Sequence, residues 1–192
     1  LTKEEFLAML QAGKDAKDKA ILCLALVGLR ASELSRVQRH WCDMSNRTIK
    51  IPPVFAKRRK GRIVPFGNLR IVCEVLTAFF ALEPNGVSLT RIAIWQRIKR
   101  LASAAGVTHP VTPHGLRATG ATWLAMAGYS ITGLMDHFGW SELRTAQHYV
   151  RASGASALSR LEARRTMRSR SRRCDSARLR CSRLGRSITC GW

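Results

Sequence analysis

Near the middle of the chain, His114-Gly115-Leu116-Arg117 sets an imidazole and a guanidinium three residues apart. Thr112 followed by Pro113 is an N-cap and first-turn pattern, so the two side chains would share one face at the start of a helix. Both are donors suited to a phosphate, and a helix N-terminus adds positive potential for the same anion. A His and an Arg so placed more often form a solvated face. Arg30 follows an apolar segment and a Gly28-Leu29 turn, with Glu33 three residues on. That spacing suits a surface ion pair, or a guanidinium held by a carboxylate so that it can grip phosphate with two prongs. Lys57 heads the basic run Lys57-Arg58-Arg59-Lys60-Gly61, which reads as a charged hairpin tip or as a mobile acid reaching into a nucleic-acid groove. Tyr149 is one of two tyrosines. A phenol ionises near about 10, so Tyr149 is a packing residue unless its neighbours help it to act as a nucleophile.

The elements that must carry these residues are legible from periodicity and punctuation. Thr2 and Glu5 form a capping box, Leu1 and Phe6 a hydrophobic staple, and Gly13 ends the first helix. A second helix runs from about Asp15 to Val27 and stops at Gly28; its stretch from Ala20 to Leu29 is apolar enough to be buried on all sides. A short helix follows Arg30. Thr48 to Phe55 and Arg62 to Phe66 read as the strands of a hairpin, with Pro52 and Pro53 weakening the first or pushing it to an edge. Helices are expected over 69–82 and 88–105, the latter with Ile92, Trp95, Ile98 and Leu101 at helical spacing. Thr112 opens a helix that Gly128 closes. Ser130 starts a short one ending near Gly139, and Ser141 starts the next, which contains Tyr149.

Composition narrows the partner. The 192 residues carry a formal charge of +21, and charge of that size points to an anionic partner, nucleic acid first. A membrane span needs about 18 apolar residues, and no run approaches that. The six cysteines contain no C-x-x-C pair, so a zinc site is not expected; Cys23 and Cys73 read as small core residues, and a reducing compartment is the default. Residues 164–192 hold ten arginines and one acid and read as a disordered tail; residues 1–163 keep 23 basic and 11 acidic side chains. With Leu1 in place of Met and no signal peptide, the chain reads as a fragment or excised domain.

In order, Gly28-Leu29-Arg30-x-x-Glu33-Leu34, a lysine-bearing hairpin, His114-x-x-Arg117, Phe138-Gly139-Trp140, and Tyr149 nine residues beyond Trp140 resemble the catalytic domain of tyrosine recombinases of the phage-integrase type. The resemblance spans about residues 1–163 and implies a mainly α fold with a small antiparallel β-sheet, of the α+β class. It implies that Arg30 and Arg117 clamp the scissile phosphate and that Glu33 supports Arg30. Lys57 would protonate the leaving 5′ oxygen, with Lys60 as its competitor. His114 would assist proton movement around the nucleophile Tyr149. Trp140 stands where most relatives have histidine, and its indole N–H can still donate to a phosphate oxygen. Arg58, Arg59, Lys60 and Arg62 are candidate DNA contacts. His137 reads as structural, and His148 would point away from Tyr149 on a helix. The implied activity is site-specific DNA recombination through a covalent 3′-phosphotyrosine, without cofactor or metal. The implied partners are double-stranded DNA and a DNA-assembled homotetramer, in the cytoplasm or nucleoid of a prokaryote or the nucleus of a eukaryote. Two alternatives are a decayed, non-catalytic DNA-binding module and a type IB topoisomerase; the compact interval from Arg117 to Tyr149 favours the recombinase over the latter.

Overall fold

The computed structural model describes residues 1–56, 59–67, 69–152 and 154, so Lys57, Arg58 and the arginine-rich tail lie outside the described residues. Helix α1 (Lys3–Ala12) carries the expected capping box: Thr2 Oγ1 accepts from the Glu5 amide while Glu5 accepts from the Thr2 amide. Helix α2 (Ala16–Val27) is capped by Asp15 and is buried continuously from Ala20 to Val27. A helix without a polar face has to lie at the centre of its domain. Helices α4 (Arg70–Leu82), α5 (Arg91–Ala104) and α6 (Pro113–Met126) pack around it. At the amphipathic start of α2, the buried Asp18 carboxylate takes Arg97 at 2.8 Å and Arg100 at 2.7 Å, fastening α2 to α5.

Gly28 ends α2 with φ +116, and a Cβ there would meet the Phe138 ring at 2.6 Å. Both the left-handed turn and the close approach therefore require glycine. Arg30 then N-caps the one-turn helix α3 (Ala31–Leu34). The sheet is antiparallel in the order β1 (Cys42–Asp43), β2 (Thr48–Ile51), β3 (Arg62–Pro65), with Ile49 opposite Val64 and Ile51 opposite Arg62. Ile49, Ile51 and Val64 face the core, and Lys50 and Ile63 face out. The strand expected over 48–55 stops at Ile51. Pro52 and Pro53 have no N–H for the ladder, and residues Pro53–Phe55 turn into a 3-10 helix whose Phe55 ring stacks on Trp41.

Helix α5 starts at Arg91 under a Thr90 cap, three residues later than its sequence suggests. Its buried stripe is Ile94, Ile98, Leu101 and Ala102, whereas Ile92 and Trp95 lie on the exposed flank. An i, i+3 series drifts off a 3.6-residue helix face, which is how those two fall outside the core. Cys23 is buried as expected, and Cys73 is half-buried against the core. The last helices are α7 (Ile131–Phe138), closed by Gly139 at φ +60, and α8 (Leu143–Ala152). With α6 they enclose a small second cluster of Ala121, Ala125, Leu134, Phe138 and Ala146. Among the described residues no helix is long and apolar enough to cross a membrane.

Helices α2 and α6 touch through Gly120, where a Cβ would lie 1.8 Å from the Leu26 carbonyl oxygen. Gly120→Ala must force the two backbones apart. Overpacking of this kind costs about 1–3 kcal/mol or more, so the melting temperature should drop by roughly 2–12 °C. An unchanged melting curve would mean that the two helices are not packed in this way.

Candidate active site

Two helix C-termini converge in this fold. Such ends leave carbonyl oxygens without intrahelical partners and carry partial negative charge. Gly28 at the end of α2, together with His137, Phe138 and Gly139 at the end of α7, supplies these carbonyls, and three arginines hold them. Arg30 donates through Nη2 to Phe138 O at 3.2 Å and Gly139 O at 3.0 Å, and through Nη1 to Glu33 Oε1 at 3.0 Å. Arg117, one turn into α6, donates to Gly28 O and Phe138 O, and its guanidinium carbon sits 5.0 Å from the Phe138 ring centre. The structure thus brings Arg30 and Arg117 onto the same peptide carbonyl, although 87 residues separate them in sequence. Arg117 is only 5% exposed. Burial first, then the charges of Arg30 and Arg62, push its guanidinium down to about 9, against opposing pulls from Glu33 and Tyr149. An anion bound beside it would offset that cost.

Arg62 requires a correction. It is not a surface DNA contact: its side chain is 6% exposed and points inward. It donates to Glu33 Oε1 at 2.7 Å and Oε2 at 2.8 Å, to Gly28 O at 3.1 Å and to His137 O at 3.1 Å. Glu33 is fully buried between Arg62 and Arg30. Burial alone would raise its carboxyl, but the Arg62 bond and charge, the Arg30 amide and the Arg30 charge outweigh it, so Glu33 titrates below the ordinary 4.5. A depressed folded value means that the stability from this group is complete above about 4.5 and is lost as pH falls through the lowered value. The melting temperature should therefore decline less steeply below pH 4.5 in Glu33→Gln than in the unsubstituted chain. Parallel declines would show that Glu33 is not the group being titrated.

The nucleophile candidate joins this cluster through aromatic rings. Phe138 stacks on Trp140 at 4.8 Å, and Trp140 stacks on Tyr149 at 5.0 Å with planes 6° apart. The residues whose carbonyls hold the arginines are therefore continuous with the residue that flanks Tyr149. His148 does not point away: its ring meets the edge of Tyr149 at 5.5 Å. His114 is exposed at the second position of α6, on the first turn below Arg117. His137 is buried, with Nε2 2.6 Å from Val27 O and Nδ1 unpartnered. Burial foremost, with the Arg62 and Arg117 charges, lowers it against the Val27 bond, which keeps the ring neutral and structural.

Beside the cluster lies a cleft of about 670 Å³ whose lining includes Arg30, Lys60, Arg62, Trp140 and Thr145. Lys60 and Arg59 are exposed on the hairpin, and Lys60 reaches this cleft. Lys57 and Arg58 fall outside the described residues. Among the described residues no group of three or more His, Cys, Asp or Glu is placed to hold a metal. The carbonyl collar and the inward role of Arg62 escape sequence reading. The available signal for the collar was the pair of glycines, Gly28 and Gly139, each closing a helix whose last carbonyls need donors.

Known proteins share this arrangement of elements. Tyrosine recombinase XerD of Staphylococcus saprophyticus is 31% identical over 169 residues, covering 78% of this chain and 56% of that protein. The chain spans about half the length of the curated relatives it matches. A crystal structure of XerA recombinase superposes with a TM-score of 0.68 at 24% identity, over 78% of this chain and 57% of that one. XerH site-specific recombinase, in a post-cleavage complex with palindromic difH substrate, gives 0.61 at 19% identity over 88% and 53%. These structures establish the fold. Since the model of the phage integrase family matches residues 1–155, most of its length, the chain belongs to that family.

Proposed function

We propose that this chain is the catalytic part of a site-specific DNA recombinase in which Tyr149 is the nucleophile. The observation that carries the reading is the convergence of Arg30 and Arg117 on the Phe138 carbonyl, two residues before the indole that stacks on Tyr149. The Tyr149 oxygen attacks a backbone phosphorus, forming a phosphotyrosine bond and breaking the bond to the 5′ oxygen, which leaves as a hydroxyl after taking a proton. A 5′ hydroxyl from another strand reverses the step without ATP, because the ester keeps the bond energy. The negative charge that develops on the phosphoryl oxygens meets Arg30 and Arg117, preorganised by carbonyls and Glu33. In this reading Trp140 donates its indole N–H to a phosphate oxygen and His114 moves the proton at the tyrosine. Lys57 is the proton donor to the leaving oxygen; Lys60, which lines the cleft, is the alternative. Arg59, exposed on the hairpin, is a further contact to the DNA backbone, and Arg58 is another by its place in the basic run of the sequence.

The partner is double-stranded DNA inside the cell, supported by the net charge of +21 and by the DNA-bound state of XerH. Strand exchange uses four active sites, so the working assembly is a homotetramer built on DNA. We assign the catalytic unit to residues 1–163, which leaves the arginine-rich residues 164–192 outside it. The test uses a pool of nicked duplexes of randomised sequence, in which cleavage next to the nick releases a short strand and traps the enzyme. A protein–DNA band that survives denaturant and disappears with protease supports the reading. Retarded DNA without such a band identifies a binding module that has lost its chemistry.

A further inference from the structure

Three guanidinium groups hold the carbonyls of this cluster, and the proposed mechanism uses only two of them. The remaining one, Arg62, makes the strongest claim on Glu33. It spans both carboxylate oxygens at 2.7 and 2.8 Å, whereas the Arg30 side chain reaches Oε1 alone, at 3.0 Å. The second oxygen, Oε2, is shared between Arg62 Nη2 and the Arg30 backbone amide. Arg62 is itself fixed by Gly28 O and His137 O, and Gly139 leaves room for it: a Cβ there would lie 3.0 Å from Arg62 Cδ and 3.7 Å from Arg30 Nη2.

An arginine next to a buried carboxylate ordinarily pairs with both oxygens in a fork-to-fork geometry. Arg30 does not, because Arg62 already occupies that geometry. The Arg30 guanidinium is left with one Glu33 contact, its Nη2 turned to the Phe138 and Gly139 carbonyls, and 23% of its side chain open to solvent at the cleft. We propose that Arg62 is a positioning residue: by saturating Glu33 it stops that carboxylate from capturing Arg30 and so keeps Arg30 presented to the scissile phosphate. The inference rests on the recombinase reading for its consequence in cleavage, while the pose of Arg30 stands apart from it.

Arg62→Met removes the fork and keeps most of the apolar stem. In the 192-residue chain, crystals of this variant should show Arg30 folded onto both Glu33 oxygens and no longer bonded to the Phe138 and Gly139 carbonyls. An Arg30 that has not moved overturns the inference, whatever the chain does to DNA. On nicked duplexes the single-turnover cleavage rate should fall about 10²-fold, the effect of misplacing one preorganised donor. DNA affinity should change less than about threefold, since one phosphate contact among many carries little of it. Adding Glu33→Gln to Arg62→Met removes the charge that captures Arg30, and should recover about tenfold of the lost rate. A purely structural Arg62 would make the double variant worse than the single one, and that result rejects the proposal. Should Arg62→Met fail to give a cooperative melt, Arg62→Lys takes its place. Lysine reaches one oxygen only, so cleavage should fall about tenfold; a wild-type rate, or loss of the folded state in this variant too, counts against the inference. If the unsubstituted chain forms no covalent adduct, the recombinase reading fails, and the Arg30 pose in the variant crystals still decides this one.

Discussion

Tyr149→Phe eliminates the denaturant-resistant protein–DNA band while leaving DNA binding within about twofold of the unsubstituted chain. The substitution removes one oxygen and keeps the ring that stacks on Trp140 at 5.0 Å, so the aromatic column from Phe138 to residue 149 survives. No other atom of that side chain can form the ester, and the loss is therefore expected to be complete rather than partial. Binding persists because it is dominated by many phosphate contacts, each a small share of the total. A gel-shift titration beside the denaturing gel separates the two quantities. The chain holds one other tyrosine, Tyr129, which lines an apolar groove with Trp123 and Met126. A persistent band in Tyr149→Phe would reassign the nucleophile and end the account built on the aromatic column.

Arg30→Ala and Arg117→Ala each lower the single-turnover cleavage rate by about 10²–10³-fold, the effect of deleting one preorganised donor to a developing oxyanion. Both leave most nonspecific DNA binding in place. Their stabilities diverge, and the cause is burial. Arg30 is partly open, and without it Glu33 still has the two-pronged Arg62, so the melting temperature should barely move. Arg117 is 5% exposed and satisfies the Gly28 and Phe138 carbonyls. Losing its bond to Gly28 and its packing on Phe138 costs about 1.5–3 kcal/mol, or roughly 3–12 °C in a chain of this size. If DNA affinity fell as far as the cleavage rate in both variants, the arginines would be general anchoring contacts and not the phosphate clamp.

Much of the fold and part of the site were readable from local chemistry. The capping box at Thr2 and Glu5, the Asp15 and Thr112 caps and the glycines at 13, 28 and 139 set the helix ends within a residue or two, because capping depends on neighbours in sequence. The two prolines at 52 and 53 marked where the hairpin ladder would weaken, although the strand ended earlier than its apolar composition suggested. The helical spacing of Ile92, Trp95, Ile98 and Leu101 left the buried face of α5 open, because a 3.6-residue period with four apolar residues admits two neighbouring stripes, and packing on α1 and α2 selects the one without Ile92 and Trp95. The two-residue strand β1 has no sequence signal of its own; it exists because Thr48 and Ile49 offer it a ladder.

The order and spacing of Arg30, Glu33, His114, Arg117, Trp140 and Tyr149 were determined by the sequence alone, and with them the family to which the chain belongs. The pairing of Arg30 with Glu33 was also local, being a three-residue relation at a helix start. Which way Arg62 faces, that Arg30 and Arg117 share one carbonyl, and that Tyr149 lies flat against Trp140 were decided only by tertiary structure. Those outcomes depend on the ends of α2 and α7 meeting at Gly28 and Phe138, 110 residues apart, where unsatisfied carbonyls create a demand for donors that no local window contains.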